Sequence, residues 1–294
     1  MQDFLVRTAQ NPWGQSVLIG VSWDLMWTAL AVGALFAIGH AIWKWKLFPS
    51  QWYESKTSGA PPVGPEEKVK KYSATARGFH WIMAASMIVL LVTAFFPVLG
   101  VKFPWVTIHW IAGLVLIAAI LFHIVHSTVF LDFWSMWVDR VDFRNLKLLG
   151  KRIFGVGSEL LSKEGKYALP NKLFHHGTAL FGLLAIGTGI VMTFRVDTPM
   201  WTRNPYLFSD QTWGWIYVLH GVAAVMFITM VMAHIYFAIR PEKLWMTRSM
   251  LLGWIRGKDF VAHHDPDRWR VGEPEPRRPR PTGAPSPAGA EAAD

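Results

Sequence analysis

The sequence has 294 residues, 52% of them hydrophobic and only 17% charged, with a mean hydropathy of +0.26 and a formal net charge of +9. Soluble domains carry about 25% charged residues, so this deficit argues against an ordinary soluble fold. The chain has no cysteine, which excludes disulfide scaffolds, cysteine-ligated iron–sulfur clusters, thiolate zinc sites and covalent c-type haem, and leaves 11 histidines for any metal or redox chemistry.

Five stretches lack Asp, Glu, Lys and Arg entirely: 25–43, 78–101, 103–131, 173–194 and 211–239. Each matches the roughly 20 helical residues that cross a hydrocarbon core, whereas a soluble bundle would interrupt such runs with a charged face. The pattern predicts an all-α membrane protein: a four-helix transmembrane core over 73–262, plus one extra N-terminal transmembrane helix within 1–48. That first helix is expected from about residue 17. Its positive flank follows the apolar run, so it is expected to stay rather than be removed as a signal peptide. A connection over 49–72, with Pro49, Gly59, Pro61, Pro62, Gly64 and Pro65, reads as irregular.

Basic residues set the expected orientation. Segment 44–77 holds seven, 132–172 holds eight and the chain from Arg240 holds ten, against four on the other side (Arg7, Lys102, Arg195, Arg203). Lys and Arg are retained inside, so a bacterial inner-membrane protein with its N-terminus periplasmic and C-terminus cytoplasmic is expected. Because these charges flank apolar runs, the net charge does not suggest nucleic acid as a partner; the partner surface is membrane lipid.

Histidines inside the spans carry the chemistry, because polar side chains at membrane depth are costly. His80 opens the second span, three positions after Arg77, which suits an anionic group at the interface. His109 begins the third, with Gly113 one turn on, where a missing side chain lets a flat ligand approach the backbone. His220 and His234 lie fourteen residues apart on the fifth span, hence on one face and roughly 21 Å apart along the axis. Alternating span direction places His80 and His234 at the inner depth, and His109 and His220 at the outer. Two bis-histidine haems b are expected. His123 also lies fourteen residues from His109 and rivals His80 as the inner ligand. His40 and His126 are expected at the interface.

Residues 132–172 mix Trp, Phe and Leu with basic residues, as in an amphipathic segment on the membrane surface. Beyond 263, and clearly from about Arg270, Pro, Ala and Arg dominate, which predicts a disordered cytoplasmic tail over 263–294.

The order Arg77-x-x-His80-Trp81, His109-x-x-x-Gly113, Gly165-Lys166-Tyr167 and the pair His220 and His234 resembles the cytochrome b (gamma) subunit of membrane-bound formate dehydrogenase, within the wider bacterial dihaem cytochrome b family. The resemblance spans roughly residues 68–270. It implies an electron-transfer subunit that takes electrons from an iron–sulfur subunit, itself served by a molybdenum or tungsten catalytic subunit, and passes them through two haems b to quinone. It also implies ligation by His80 with His234 and by His109 with His220. Ala168 and Asn171 stand where that family's quinone loop has Asn and Gln, and Lys166 and Asn171 are the candidate quinone residues on that loop; His175 and His176, which are not part of the family's motif, are added because they lie at a depth where a quinone ring could be protonated. The family core lacks the first helix, whose small residues Ala29, Ala31, Gly33, Ala34 and Ala37 suit either docking of a partner or packing on this chain's own bundle. Other functions in view are a stand-alone oxidoreductase of the b561 type, a cytochrome subunit of a hydrogenase or other molybdoenzyme, and a transporter or anchor, which would leave the matched histidines without a role.

Overall fold

A computed structural model of the chain describes residues 4–47, 63–153, 156 and 159–271. Among these, five helices are long and apolar enough to cross a membrane, with spans Trp23–Trp43, Ala74–Leu99, Trp105–Phe130, Leu169–Arg195 and Asp210–Ile239 and mean hydropathies of 1.8 to 2.5. They belong to helices α1 (Trp23–Leu47), α2 (Ala74–Phe95), α3 (Trp105–Phe130), α5 (Leu169–Met192) and α6 (Asp210–Ile239). The chain is thus a multi-pass membrane protein. Ser73 and Ser209 cap α2 and α6, accepting from the amides of Ala76 and Thr212. The face that gathers the segments around 63–77, 132–172 and 240–271 is called the basic face below, and the opposite one the far face.

Two small sheets qualify the all-α expectation. Strand β1 (Val6–Gln10) pairs antiparallel with β2 (Ser16–Val21), closing over a turn in which Gly14 takes φ 79° and Asn11 Oδ1 accepts from the amides of Trp13 and Gln15. Residues 16–21 are therefore strand, and the first helix begins at Trp23 rather than near 17. The strand β2 lies along the far-face end of α6. A Cβ on Gly214 would stand 2.6 Å from Leu18 Cβ, and one on Gly221 2.7 Å from Val21 Cγ2, so glycine is what lets the strand seat there.

The helix α1 packs on α6 along its length. Met26, Ala29 and Ile228 form a buried cluster, Thr229 Oγ1 donates to the Ala29 carbonyl at 3.0 Å, and a Cβ on Gly33 would meet Met232 Sδ at 2.7 Å. Near the basic face, Arg240 Nη1 reaches His40 Nδ1 at 2.9 Å and Tyr236 Oη at 3.2 Å. Of the small residues expected to make a helix contact, Ala29 and Gly33 are used inside the chain, and Ala31 is exposed on the other side.

On the basic face, strand β3 (Lys68–Lys70) pairs with β4 (Trp254–Arg256) between the short helices α7 (Leu244–Leu252) and α8 (Gly257–His263), over a core of Val63, Val69, Ile255, Phe260 and Trp269. The surface helix α4 (Arg140–Ile153) exposes Phe143 and Leu146 and buries Asp142, whose carboxylate pairs with buried Lys172 at 2.6 Å. Arg268 completes this network, 2.6 Å from Asp139. The folded unit therefore runs beyond residue 262: His264 and Trp269, expected to begin the tail, are 1% and 9% exposed because they fill the basic-face core. Residues 272–294 of that tail, 49–62 of the linker and residue 48 before it lie outside the described residues.

Overpacking a filled contact costs about 1–3 kcal/mol. Gly33→Leu should therefore lower the thermal midpoint of the purified protein, and Ala31→Leu on the exposed side should leave it near the wild-type value.

Candidate haem-binding site

Three of the four core helices bring four intramembrane histidines into two facing pairs. His80 of α2 faces His234 of α6 with ring centroids 6.2 Å apart and planes at 41°. One depth away, His109 of α3 faces His220 of α6 at the same 6.2 Å and 67°. An imidazole nitrogen binds a metal at about 2 Å and lies about 1 Å from its ring centre, so two rings sharing one metal stand about 6 Å apart. Among the described residues no group of three or more His, Asp or Glu is placed to hold a metal ion. A bare ion held by two imidazoles would be under-coordinated, whereas a haem brings four nitrogens of its own and asks the protein for two axial ligands. The residues present fit that group.

The far-face pair is oriented by hydroxyls. Thr93 Oγ1 on α2 donates back to the Val89 carbonyl at 2.7 Å and lies 2.7 Å from His109 Nδ1. Thr188 Oγ1 on α5 donates to the Leu184 carbonyl at 2.6 Å and lies 3.0 Å from His220 Nδ1. With each hydroxyl proton directed to its carbonyl, each imidazole donates from Nδ1 to the threonine oxygen, which leaves Nε2 as the lone-pair nitrogen of both rings. Gly189 gives His220 its room, since a Cβ there would stand 3.3 Å from Cε1. Open space surrounds Gly113, with no atom within 4 Å of a Cβ built on it.

The other expected residues divide. His123 does not meet His234: it stacks flat on Phe79 at 4.2 Å and faces His175 at 6.2 Å and 63°. His175 Nδ1 is buried without a hydrogen-bond partner. His176 donates from Nδ1 to the Lys172 carbonyl at 2.7 Å and sits edge-on to Trp137. Asn171 donates to Met246 Sδ at 3.6 Å, and Lys166 lies over the Tyr167 ring at 5.7 Å. Burial lowers the Lys166 amine to about 8, with Asp132 opposing the shift. Arg77 donates from Nη1 to the Leu251 carbonyl, clasping the end of α7, and its Nε is buried without a hydrogen-bond partner.

Sequence reasoning missed a buried cluster beside Gly165. His264 Nδ1 donates to the Gly165 carbonyl at 2.6 Å, so its Nε2 accepts from buried Lys71 Nζ at 3.3 Å. Lys71 in turn lies 5.1 Å from the Trp245 ring centre and 5.3 Å from that of Trp269. Burial brings the Lys71 amine down to about 7, with Glu164 opposing. This cluster ties residues 263–269 to the Gly-Lys-Tyr segment.

These arrangements are those of a membrane cytochrome b. The chain belongs to the prokaryotic cytochrome b561 family, which matches residues 71–253. It is similar to the cytochrome b556(fdo) subunit of formate dehydrogenase from Escherichia coli K12, with 27% identity over 217 residues, covering 69% of this chain and 92% of the relative. The same subunit from the O6:H1 and O157:H7 strains matches to the same extent. Family membership implies haem b binding and a membrane electron-transfer role. The first helix and the β1–β2 hairpin lie outside the matched residues.

The His264 clasp should be acid-sensitive. Burial first, and Lys71 second, lower its imidazole from 6.5 to about 2, against the opposing hydrogen bond to the Gly165 carbonyl. Between those values the unfolded chain binds a proton that the folded chain does not, so stability falls as pH drops below about 6.5. The protection factors of the amides over 263–269, that is, exchange corrected for the intrinsic rate at each pH, should fall on acidification over that window, and His264→Asn should flatten the dependence.

Proposed function

We propose that the chain is the membrane electron-transfer subunit of a formate-oxidising complex and delivers electrons to quinone. The reading is carried by the two facing imidazole pairs at 6.2 Å, set roughly 21 Å apart along α6 by their fourteen-residue spacing. His109 with His220 would hold one haem b and His80 with His234 the other, two haems in all, each supplying one-electron redox chemistry. Basic residues assign the basic face to the cytoplasm and the far face to the periplasm of a bacterial inner membrane. The partners are then a periplasmic iron–sulfur subunit and a molybdenum or tungsten catalytic subunit. Formate as their substrate is supported by the similarity to a cytochrome subunit of formate dehydrogenase. A hydrogenase or other molybdoenzyme partner would use the same frame, and a stand-alone b561-type oxidoreductase would need no partner; co-purification of the native complex separates these.

Quinone is assigned to the basic face, where the candidates Lys166, Asn171, His175 and His176 lie close together along the chain at and just before the start of α5. His175 offers a buried Nδ1 with no hydrogen-bond partner in the fold, as a quinone oxygen would require. Lys166, brought to about 8 by burial, is a proton donor near neutral pH.

The pairing test is direct. His80→Ala should lower the pyridine-haemochrome content from two haems per chain to one, and His123→Ala should leave it at two. The reverse result would transfer the ligand role to His123.

Inward electron movement works against an inside-negative potential by about 2.3 kcal/mol per 100 mV. Quinone reduction by the complex in sealed vesicles should slow when that potential is imposed. A rate indifferent to potential would rule out transmembrane electron delivery.

A further inference from the structure

The two facing pairs differ in what stands behind the rings. At the far face, α3 and α6 supply the imidazoles, and the other two core helices supply Thr93 and Thr188, whose hydroxyls stand 2.7 Å and 3.0 Å from the Nδ1 atoms of His109 and His220. At the basic face, His80 Nδ1 is buried and has no hydrogen-bond partner. Membrane-helix threonines commonly bond back to the carbonyl four residues earlier, and that habit alone satisfies the hydroxyl proton. It does not require a ring nitrogen on a different helix at hydrogen-bond distance, twice, at one depth.

A ligating imidazole that donates its second N–H is a more basic ligand. More basic axial ligands stabilise the oxidised iron relative to the reduced, and hydrogen bonding behind the ligand is one of the protein's levers on haem potential. We propose that Thr93 and Thr188 are positioning residues that fix His109 and His220 as Nδ1–H tautomers and hold the far-face haem at a lower midpoint potential than the basic-face haem. The far-face site is then the more reducing of the two, which makes passage toward the basic face downhill in the absence of a membrane potential. This inference rests on the two-haem reading above.

The test is an optical redox titration of the purified full chain, with haem content measured alongside. In Thr93→Val and in Thr188→Val the lower midpoint should rise, the higher one should stay, and two haems should remain. A tenfold change in the relative affinity for the two iron states corresponds to about 59 mV for one electron, which sets the scale of the rise. Thr93→Ser and Thr188→Ser keep the hydroxyl and should titrate as wild type. Should a valine variant lose the haem, retention at wild-type potential in the matching serine variant would still support the role. An unchanged lower midpoint with both haems present, a rise confined to the higher midpoint, or haem loss in the serine variants as well would overturn it. Retention of two haems in both His109→Ala and His220→Ala would instead overturn the haem assignment itself.

Discussion

An imidazole in the hydrocarbon interior has no water to satisfy it, and α6 carries two of them on one face. The rest of the bundle follows from that constraint. Each of these rings is met by a ring from a neighbouring core helix, at the same 6.2 Å in both pairs. The helix that holds both has to be enclosed on its other sides, and α1 and β2 do this, seated on α6 through Gly33, Gly214 and Gly221. A side chain at Gly214 or Gly221 would lift the strand away from the end of α6 that carries His220.

The two faces solve different problems. At the far face the polar atoms behind the rings are answered by threonines, and the surface is closed by a hairpin. At the basic face, by contrast, charged side chains are buried in satisfied networks: Lys172 with Asp142 at 2.6 Å, and Lys71 against His264 and two indole rings. Buried ion pairs do little for net stability, but removing one partner leaves an uncompensated charge. These contacts hold the Gly-Lys-Tyr segment, α4 and residues 263–269 as one cap over the quinone-proximal end proposed above.

Much of this was legible in the sequence where the physics is one-dimensional. Long runs without charge mark the spans, because the bilayer tolerates little else, and span direction sorts His80 with His234 and His109 with His220. The fourteen-residue spacing on α6 is likewise a statement about one helix. What escaped depends on neighbours far apart in the chain. Thr93 and Thr188 carry no local signal that separates them from other membrane-helix threonines, and His264 and Lys71 meet across 193 residues. The hairpin did have a signal, the Asn11-Pro12-Trp13-Gly14 turn between two short segments, obscured by the apolar run into which β2 leads. His123 was ambiguous in sequence because spacing on one helix says nothing about the ring opposite, which is His175.

The central claim is that the two facing pairs are axial ligand sets, and low-temperature electron paramagnetic resonance of the oxidised, purified full chain, taken with its pyridine-haemochrome content, tests it most directly. The account predicts two haems b per chain and two low-spin ferric signals, one lost with His80→Ala and the other with His109→Ala. A single haem per chain, or a high-spin signal from the wild-type protein, would contradict it.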